Sequence, residues 1–276
     1  MNLFQAARGQ YEDRLQRARY LATQHPFAAE FLNFYQSIAQ FQKSLYNRIA
    51  ASAPTRLGDE ACTPIRESFD ATLVLPHFRA FLDVTERSAP APLADSARQV
   101  SSQPSDSWIA LLSDHWRTAG IADPAAEPFA QFIPRAFLQP YAEFLAEQQP
   151  KLVLRVTATL CPLCSGSPLL GVIRREGDGG KRFLLCSFCS QEWEFRRILC
   201  PACGEQSETK LPVYVAEQFP HIRIEACETC HSHIRAVDLT TDGHAIPLID
   251  DLAALPLTLW AVEHNYTRSQ PNLLGT

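Results

Sequence analysis

The sequence predicts an α+β protein: an N-terminal α-helical domain, two tandem cysteine-bearing ribbon modules, and a C-terminal helix. Three observations predict it. Of nine cysteines, only Cys62 precedes residue 150, and the other eight fall between Cys161 and Cys230 as four Cys-x-x-Cys pairs. Apolar residues of the first half recur at three- and four-residue steps, the period of a helix. Between the cysteine pairs the chain breaks into short apolar runs separated by turn residues, the pattern of strands and hairpins. The composition shift, with Pro150 beside it, divides the chain into residues 1–150, 151–195 and 196–276, the last carrying the C-terminal helix and tail.

In the helical part, Phe31, Phe34, Ile38, Phe41, Leu45 and Ile49 form one stripe. Phe78, Phe81 and Leu82 follow Pro76, which suits a first helical turn. Trp108, Leu111, Leu112 and Trp116 make a second stripe, with Asp106 as its expected N-cap and Gly120 as its stop. Asp123-Pro124 reads as a cap followed by a helical start. A last stripe holds Phe137, Tyr141, Phe144 and Leu145, and Pro134 and Pro140 are expected to break it into short helices. The stretch from Ser88 to Ser107, rich in Ala, Pro, Ser and Gln, reads as a loop with at most a short helix. Core packing accounts for these aromatics.

In the second part, Val153, Leu154 and Val156 lead into the first cysteine pair. Leu169–Ile173 and Arg182–Leu185 form a hairpin around Gly177, Asp178, Gly179 and Gly180, with a cysteine pair at each base. Glu192–Leu199 leads into the third pair. Val213–Ala216 and Ile222–Glu225 supply strands before the fourth. Asp250–Tyr266 is apolar at helical steps through Leu252, Leu255, Leu259 and Val262.

The pairs are Cys161/Cys164, Cys186/Cys189, Cys200/Cys203 and Cys227/Cys230. Two intervening residues let a tight turn aim both thiolates at one ion, while backbone N–H groups of the turn spread the sulfur charge. Two such turns give a tetrahedral four-thiolate site. The gaps from Cys164 to Cys186 and from Cys203 to Cys227 are each roughly twenty residues, the spacing of a zinc ribbon. The simplest assignment is sequential: Cys161, Cys164, Cys186 and Cys189 hold one ion, and Cys200, Cys203, Cys227 and Cys230 hold the other. A crossed pairing stays open, although the short Gln191–Leu199 link suits two modules in tandem. Spacing does not choose between zinc and iron. A full thiolate shell leaves no position for substrate, which counts against metal hydrolysis.

Other chemistry is sparse. His221, His231 and His233 crowd the last pair and read as surface or supporting residues, since four cysteines suffice. Cys62 reads as a small buried residue. Trp193 and Phe195 read as packing. There is no Gly-rich phosphate loop and no catalytic triad. Hydrophobic residues make up 46% and charged residues 20% of the 276, which excludes wholesale disorder. The first residues, MNLFQAARGQYEDR, lack a secretory pattern, and no run approaches the ~18 apolar residues of a membrane span. A cytoplasmic protein without membrane contact is expected. In that compartment paired cysteines read as metal or redox sites rather than disulfides.

CPLCSGSP, LLCSFCSQEWEFRRILCPACGE and IEACETCHSHIRAVDL resemble the paired rubredoxin-type ribbons of the FdhE family of formate dehydrogenase accessory proteins. DLAALPLTLWAVEHNYTRSQPNLLG resembles that family's ending, and AFLQPYAEFLAE the end of its helical domain. The resemblance implies two rubredoxin-like modules binding two iron ions through the eight cysteines, with zinc possible. It also implies a cytoplasmic, non-enzymatic maturation factor that binds the catalytic subunit of a molybdenum- or tungsten-dependent formate dehydrogenase before assembly and twin-arginine translocation. One departure stands out: glycine follows only Cys203 among the second cysteines, whereas Ser165, Ser190 and His231 occupy the other three positions.

Two further function classes compete with this one. A zinc-ribbon nucleic-acid binder would need a basic face. Here Arg174, Arg175, Lys181, Arg182, Arg196 and Arg197 are offset by at least as many glutamates and aspartates, and the net charge is −5, so no nucleic-acid partner is expected. A thiol oxidoreductase would need one singled-out reactive pair, and none stands out. For a protein partner, the expected contact elements are Glu192, Trp193 and Glu194 between the modules, and Tyr266, Arg268 and Asn272 in the tail.

Overall fold

The computed structural model describes residues 3–52, 65–118, 128–149, 157–177 and 179–276. Cys62, Gly120, Asp123, Pro124, Pro150, Val153, Leu154, Val156 and Asp178 lie outside these residues.

Helices α1 (Leu3–Gln24) and α2 (Ala29–Ser52) form an antiparallel pair, because the connecting 3-10 turn Pro26–Ala28 is too short for any other arrangement. The predicted stripe on α2 faces inward, with Phe34, Ile38, Leu45 and Ile49 buried. After the short helix α3 (Ala71–Val74), Pro76 sits in a 3-10 turn that feeds α4 (Phe78–Ser88). Helix α5 (Ala91–Ser101) occupies most of the stretch expected to be a loop. Its composition explains the difference: Pro92 suits the first turn, while Leu93, Ala94 and Ala97 bury one face. Helix α6 (Ser105–Thr118) begins one residue before Asp106, which therefore lies in the first turn rather than at the N-cap. There its charge still faces the positive end of the helix.

Helix α7 (Pro128–Glu147) runs unbroken through Pro134 and Pro140, contrary to expectation. Proline 140 leaves the carbonyl of Ala136 without its helical donor. The fully buried Gln42 of α2 supplies the missing hydrogen bond, its Nε2 donating to Ala136 O at 2.7 Å. A tertiary contact thus repairs the defect that the sequence alone presents as a break.

The ribbons build one seven-stranded sheet. Strands β1 (Pro168–Glu176) and β2 (Gly179–Cys186) form the predicted hairpin, and β3 (Glu192–Glu194) pairs with β2. Strands β4 (Val213–Ala216) and β5 (Phe219–Ala226) form a second hairpin, β6 (Ser232–Asp238) follows it, and the two-residue β7 (Thr267–Arg268) pairs with β6. The order is β3-β2-β1-β6-β5-β4. Strand β6 joins the two modules by running parallel to β1, with Gly171 opposite Ala236. The two strands approach so closely there that a Cβ on Gly171 would lie 2.9 Å from that of Ala236.

The single helix expected over Asp250–Tyr266 is two helices, α8 (Pro247–Ala253) and α9 (Leu255–Glu263), separated at Ala254. Pro256 cannot continue the hydrogen bonding of α8 but fits the first turn of α9. The new axis turns Leu259 and Val262 to solvent, 66% and 65% exposed.

One hydrophobic core spans the helices and the first ribbon. Phe78, Phe81 and Phe137 pack together in it, and Trp116 meets both Tyr141 and Phe188, the last lying between Cys186 and Cys189. A second core joins α1 and α2 to α8.

Candidate metal centres

Each cysteine pair sits in the same backbone turn. The N–H of the first cysteine donates to the carbonyl five residues on: Gly166, Gln191, Glu205 and Ser232 accept from Cys161, Cys186, Cys200 and Cys227 at 2.9 to 3.0 Å. The residue after the second cysteine takes a left-handed conformation, with φ of 55° at Ser165, 55° at Ser190, 81° at Gly204 and 52° at His231. All four positions therefore need the geometry that glycine adopts most easily. The three non-glycine residues are held there by added contacts. Arg66 donates to the carbonyls of Cys164 and Ser165, the Ser190 hydroxyl donates to Glu143, and the His231 carbonyl accepts from Thr267 N.

The turns bring the cysteines together in the sequential sets. In the first, Cys161 and Cys164 lie 3.6 Å from Cys189, and Cys164 lies 3.4 Å from Cys186, sulfur to sulfur. In the second, Cys200 lies 3.8 Å from Cys230 and Cys203 lies 3.6 Å from Cys227. A tetrahedral four-thiolate ion with metal–sulfur bonds of about 2.3 Å requires sulfurs about 3.8 Å apart. Both sets fit, and both can hold a metal ion. The crossed pairing has no support among these distances.

The electrostatics of the free thiols also fit a cation. Burial pushes the Cys186 thiol well above its usual range, and thiol neighbours led by Cys161 do the same to Cys189. Cys161 is pulled far down, because hydrogen bonds from the other three thiols favour its thiolate. Neighbouring thiolates repel one another, so a positive ion placed among the sulfurs would favour their charged form. In the second set, partial desolvation beside the other sulfurs raises Cys203 to about 12, although its side chain reaches the surface. The same desolvation opposes ionisation of Cys230, but the Ser232 hydroxyl at 2.9 Å and the neighbouring thiols bring it down to about 7. The buried guanidinium of Arg135 places positive charge near Cys186.

Structure separates the remaining candidates. His221 binds Asp250 through Nε2 at 2.8 Å, away from the cysteines. The group His221, Asp242 and Asp250 is closed by Arg17, whose guanidinium pairs with Asp242 at 2.7 Å and Asp250 at 2.6 Å. His231 is exposed and His233 buried. Trp193 and Phe195 are core residues, and the Trp193 indole donates to Ala158 O. Of the residues expected to contact a partner, Trp193, Tyr266 and Asn272 are buried: Tyr266 packs in the sheet–helix core, and Asn272 donates to Asp251. Glu192 pairs with Arg174, Glu194 with Lys181, and Arg268 with Asp251. The supports Arg66, Gln42 and Glu143 carry no local motif; their roles arise only from contacts about 50 to 130 residues away in sequence.

The fold and its sites define a protein in which two four-cysteine ribbons share a sheet and lean on a helical body. A family profile described as "FdhE, central domain" matches residues 160–197, and one described as "FdhE, C-terminal domain" matches residues 198–274. The FdhE homologue of Stutzerimonas stutzeri is 32% identical over 283 residues, covering 95% of this chain and 88% of that protein. That of Aquifex aeolicus is 25% identical over 284 residues, covering 100% and 98%. The crystal structure of the FdhE protein from Pseudomonas aeruginosa superposes with a TM-score of 0.74 at 26% identity, covering 98% and 96% of the two chains. The chain belongs to the FdhE family. Among the described residues, no helix is long and apolar enough to cross a membrane.

Proposed function

We propose that this protein is a cytoplasmic accessory factor for the formation of active formate dehydrogenase. It binds the immature catalytic subunit through the two-centre module and does not itself oxidise formate. The eight cysteines Cys161, Cys164, Cys186, Cys189, Cys200, Cys203, Cys227 and Cys230 hold two ions, iron by family likeness, with zinc as the alternative. Residues 1–150, 151–195 and 196–276 serve as the helical support, the first ribbon and the second ribbon with its tail.

The observation that carries this reading is the end-to-end likeness to FdhE proteins combined with two four-sulfur sets of metal-binding geometry. A closed thiolate shell offers no substrate position, so recognition is the task left to the module. The alternative of nucleic-acid binding is disfavoured because several of the ribbon cations are paired with carboxylates. Arg174 pairs with Glu192, Lys181 with Glu176 and Glu194, Arg182 with Glu225, and Arg223 with Asp238. The test is co-purification of the full chain with a tagged formate dehydrogenase catalytic subunit. Binding that is lost when both centres are disrupted supports the reading. Undiminished binding by a metal-free variant contradicts it.

A further inference from the structure

The two four-cysteine centres have the same local turn but different surroundings: all four sulfurs are enclosed in the first, whereas in the second only Cys200 and Cys227 are buried. All four cysteines of the first centre are buried. Its first turn is covered by Ile65, whose N–H donates to Leu163 O, and by Arg66, whose guanidinium binds the Cys164 and Ser165 carbonyls. Its second turn is covered by Trp116 and His115 against Phe188, and by Glu143 on Ser190. Backbone N–H groups of Gly166 and Phe188 also approach Cys164 and Cys186 sulfur at 3.4 Å. Opening this centre means breaking the largest core of the molecule.

Among the described residues, the second centre lacks such a cover. Cys203 and Cys230 are exposed, as are Ala202, Gly204, Glu228 and Thr229 beside them. A half-buried side chain ties the tips of the two turns together: Glu205 accepts from the Thr229 hydroxyl at 2.6 Å and from the N–H groups of Gln206 and Ser207 at 2.9 Å. Behind the centre, a cavity of about 50 Å³ is walled by Cys200, Cys227, Ser232 and His233. Access to sulfur governs how fast a competing donor reaches the bound ion.

We propose that the second centre is an exchangeable metal site and the first a permanent one. This rests on the reading that both centres bind metal. Exchange proceeds from the exposed edge. As an incoming chelating donor forms two bonds to the ion, the Cys203 and Cys230 sulfur–metal bonds break. The released thiolates take protons from water, and no electron moves. Cys200 and Cys227 release the ion last. Glu205 sets the rate by holding the two turns together.

The full chain, loaded with zinc and confirmed to carry two ions, is challenged with excess 4-(2-pyridylazo)resorcinol. One equivalent is expected to leave at least tenfold faster than the other. Iodoacetamide added during the same time course should alkylate Cys203 and Cys230 before Cys161, Cys164, Cys186 and Cys189. Glu205→Ala should quicken the fast phase several-fold and leave the slow phase unchanged. Both equivalents leaving in one phase, first alkylation at the first centre, or a fast phase indifferent to Glu205→Ala would overturn the inference. A chain that never carries two ions would overturn the reading beneath it, and the inference with it.

Discussion

The hydroxyl of Ser190 donates to the carboxylate of Glu143 at 2.6 Å. Ser190 is the left-handed residue after Cys189, and Glu143 lies on α7. The same carboxylate accepts from Tyr11 at 2.6 Å and from Arg14 at 3.0 and 3.2 Å. One buried acid therefore joins α1, α7 and the first metal centre. The serine that departs from the expected glycine is the group that makes this connection.

Ser190→Ala should lower stability by about 1–2 kcal/mol, because it removes a part-buried bond to the Glu143 carboxylate while keeping the strained backbone. Ser190→Gly should cost less, since glycine relieves the left-handed strain by about 1 kcal/mol. Glu143→Ala should cost about 3–5 kcal/mol, because it leaves buried Arg14 without its counterion. Denaturant unfolding of the metal-loaded proteins gives the ranking.

Gly171→Val should destabilise the union of the ribbons. The glycine sits where β1 and β6 run parallel, and Arg182 passes near it to reach Glu225 at 2.5 Å. A valine would press on Ala236 and on the arginine, at a cost of about 1–3 kcal/mol. Hydrogen exchange should show lost protection in β6. Unchanged protection would mean that the junction accommodates the side chain.

His115 makes stability fall in mild acid. Burial, helped by the positive charge of Arg135, lowers its pKa to about 4. Between that value and the ordinary histidine pKa, the unfolded chain binds the extra proton, so stability drops as pH falls. The loss from this group should be about 1 kcal/mol between pH 7.5 and 5.5. His115→Gln should flatten the profile over that window, read by denaturation at fixed metal loading.

Much of this was legible in advance. The four cysteine turns, the first hairpin, the β4 and β5 strands and the α2 stripe have local signatures, because a turn or a helical face is set by residues close in sequence. Strand β6 had none. It is buried on both faces, from His233 to Asp238, so it lacks the alternation of a half-exposed strand. The continuity of α7 was hidden because Gln42, which satisfies the Ala136 carbonyl, is 94 residues away. The break at Ala254 was masked by an apolar pattern that continues across Pro256. The sequential cysteine sets were readable, whereas their unequal covering was not: Ile65, Arg66 and Glu143 reach the first centre only through the fold.

Protein made and purified without oxygen should carry iron in at least part of its sites. Ferric thiolate centres absorb visible light by sulfur-to-iron charge transfer, whereas zinc centres do not. A colourless protein with stoichiometric zinc after iron-replete anaerobic growth would contradict iron as the resident metal.

Metal content of single-cysteine variants tests the two-centre account most directly. Elemental analysis of the wild-type chain should give two ions. Cys164→Ser should give one, with lowered stability around the first ribbon and the second centre still filled, because each centre draws its four ligands from consecutive pairs. Cys203→Ser should give one as well, with the first centre filled. Unchanged metal content in Cys164→Ser, or loss of both ions from a chain that remains folded, would contradict two independent sequential centres.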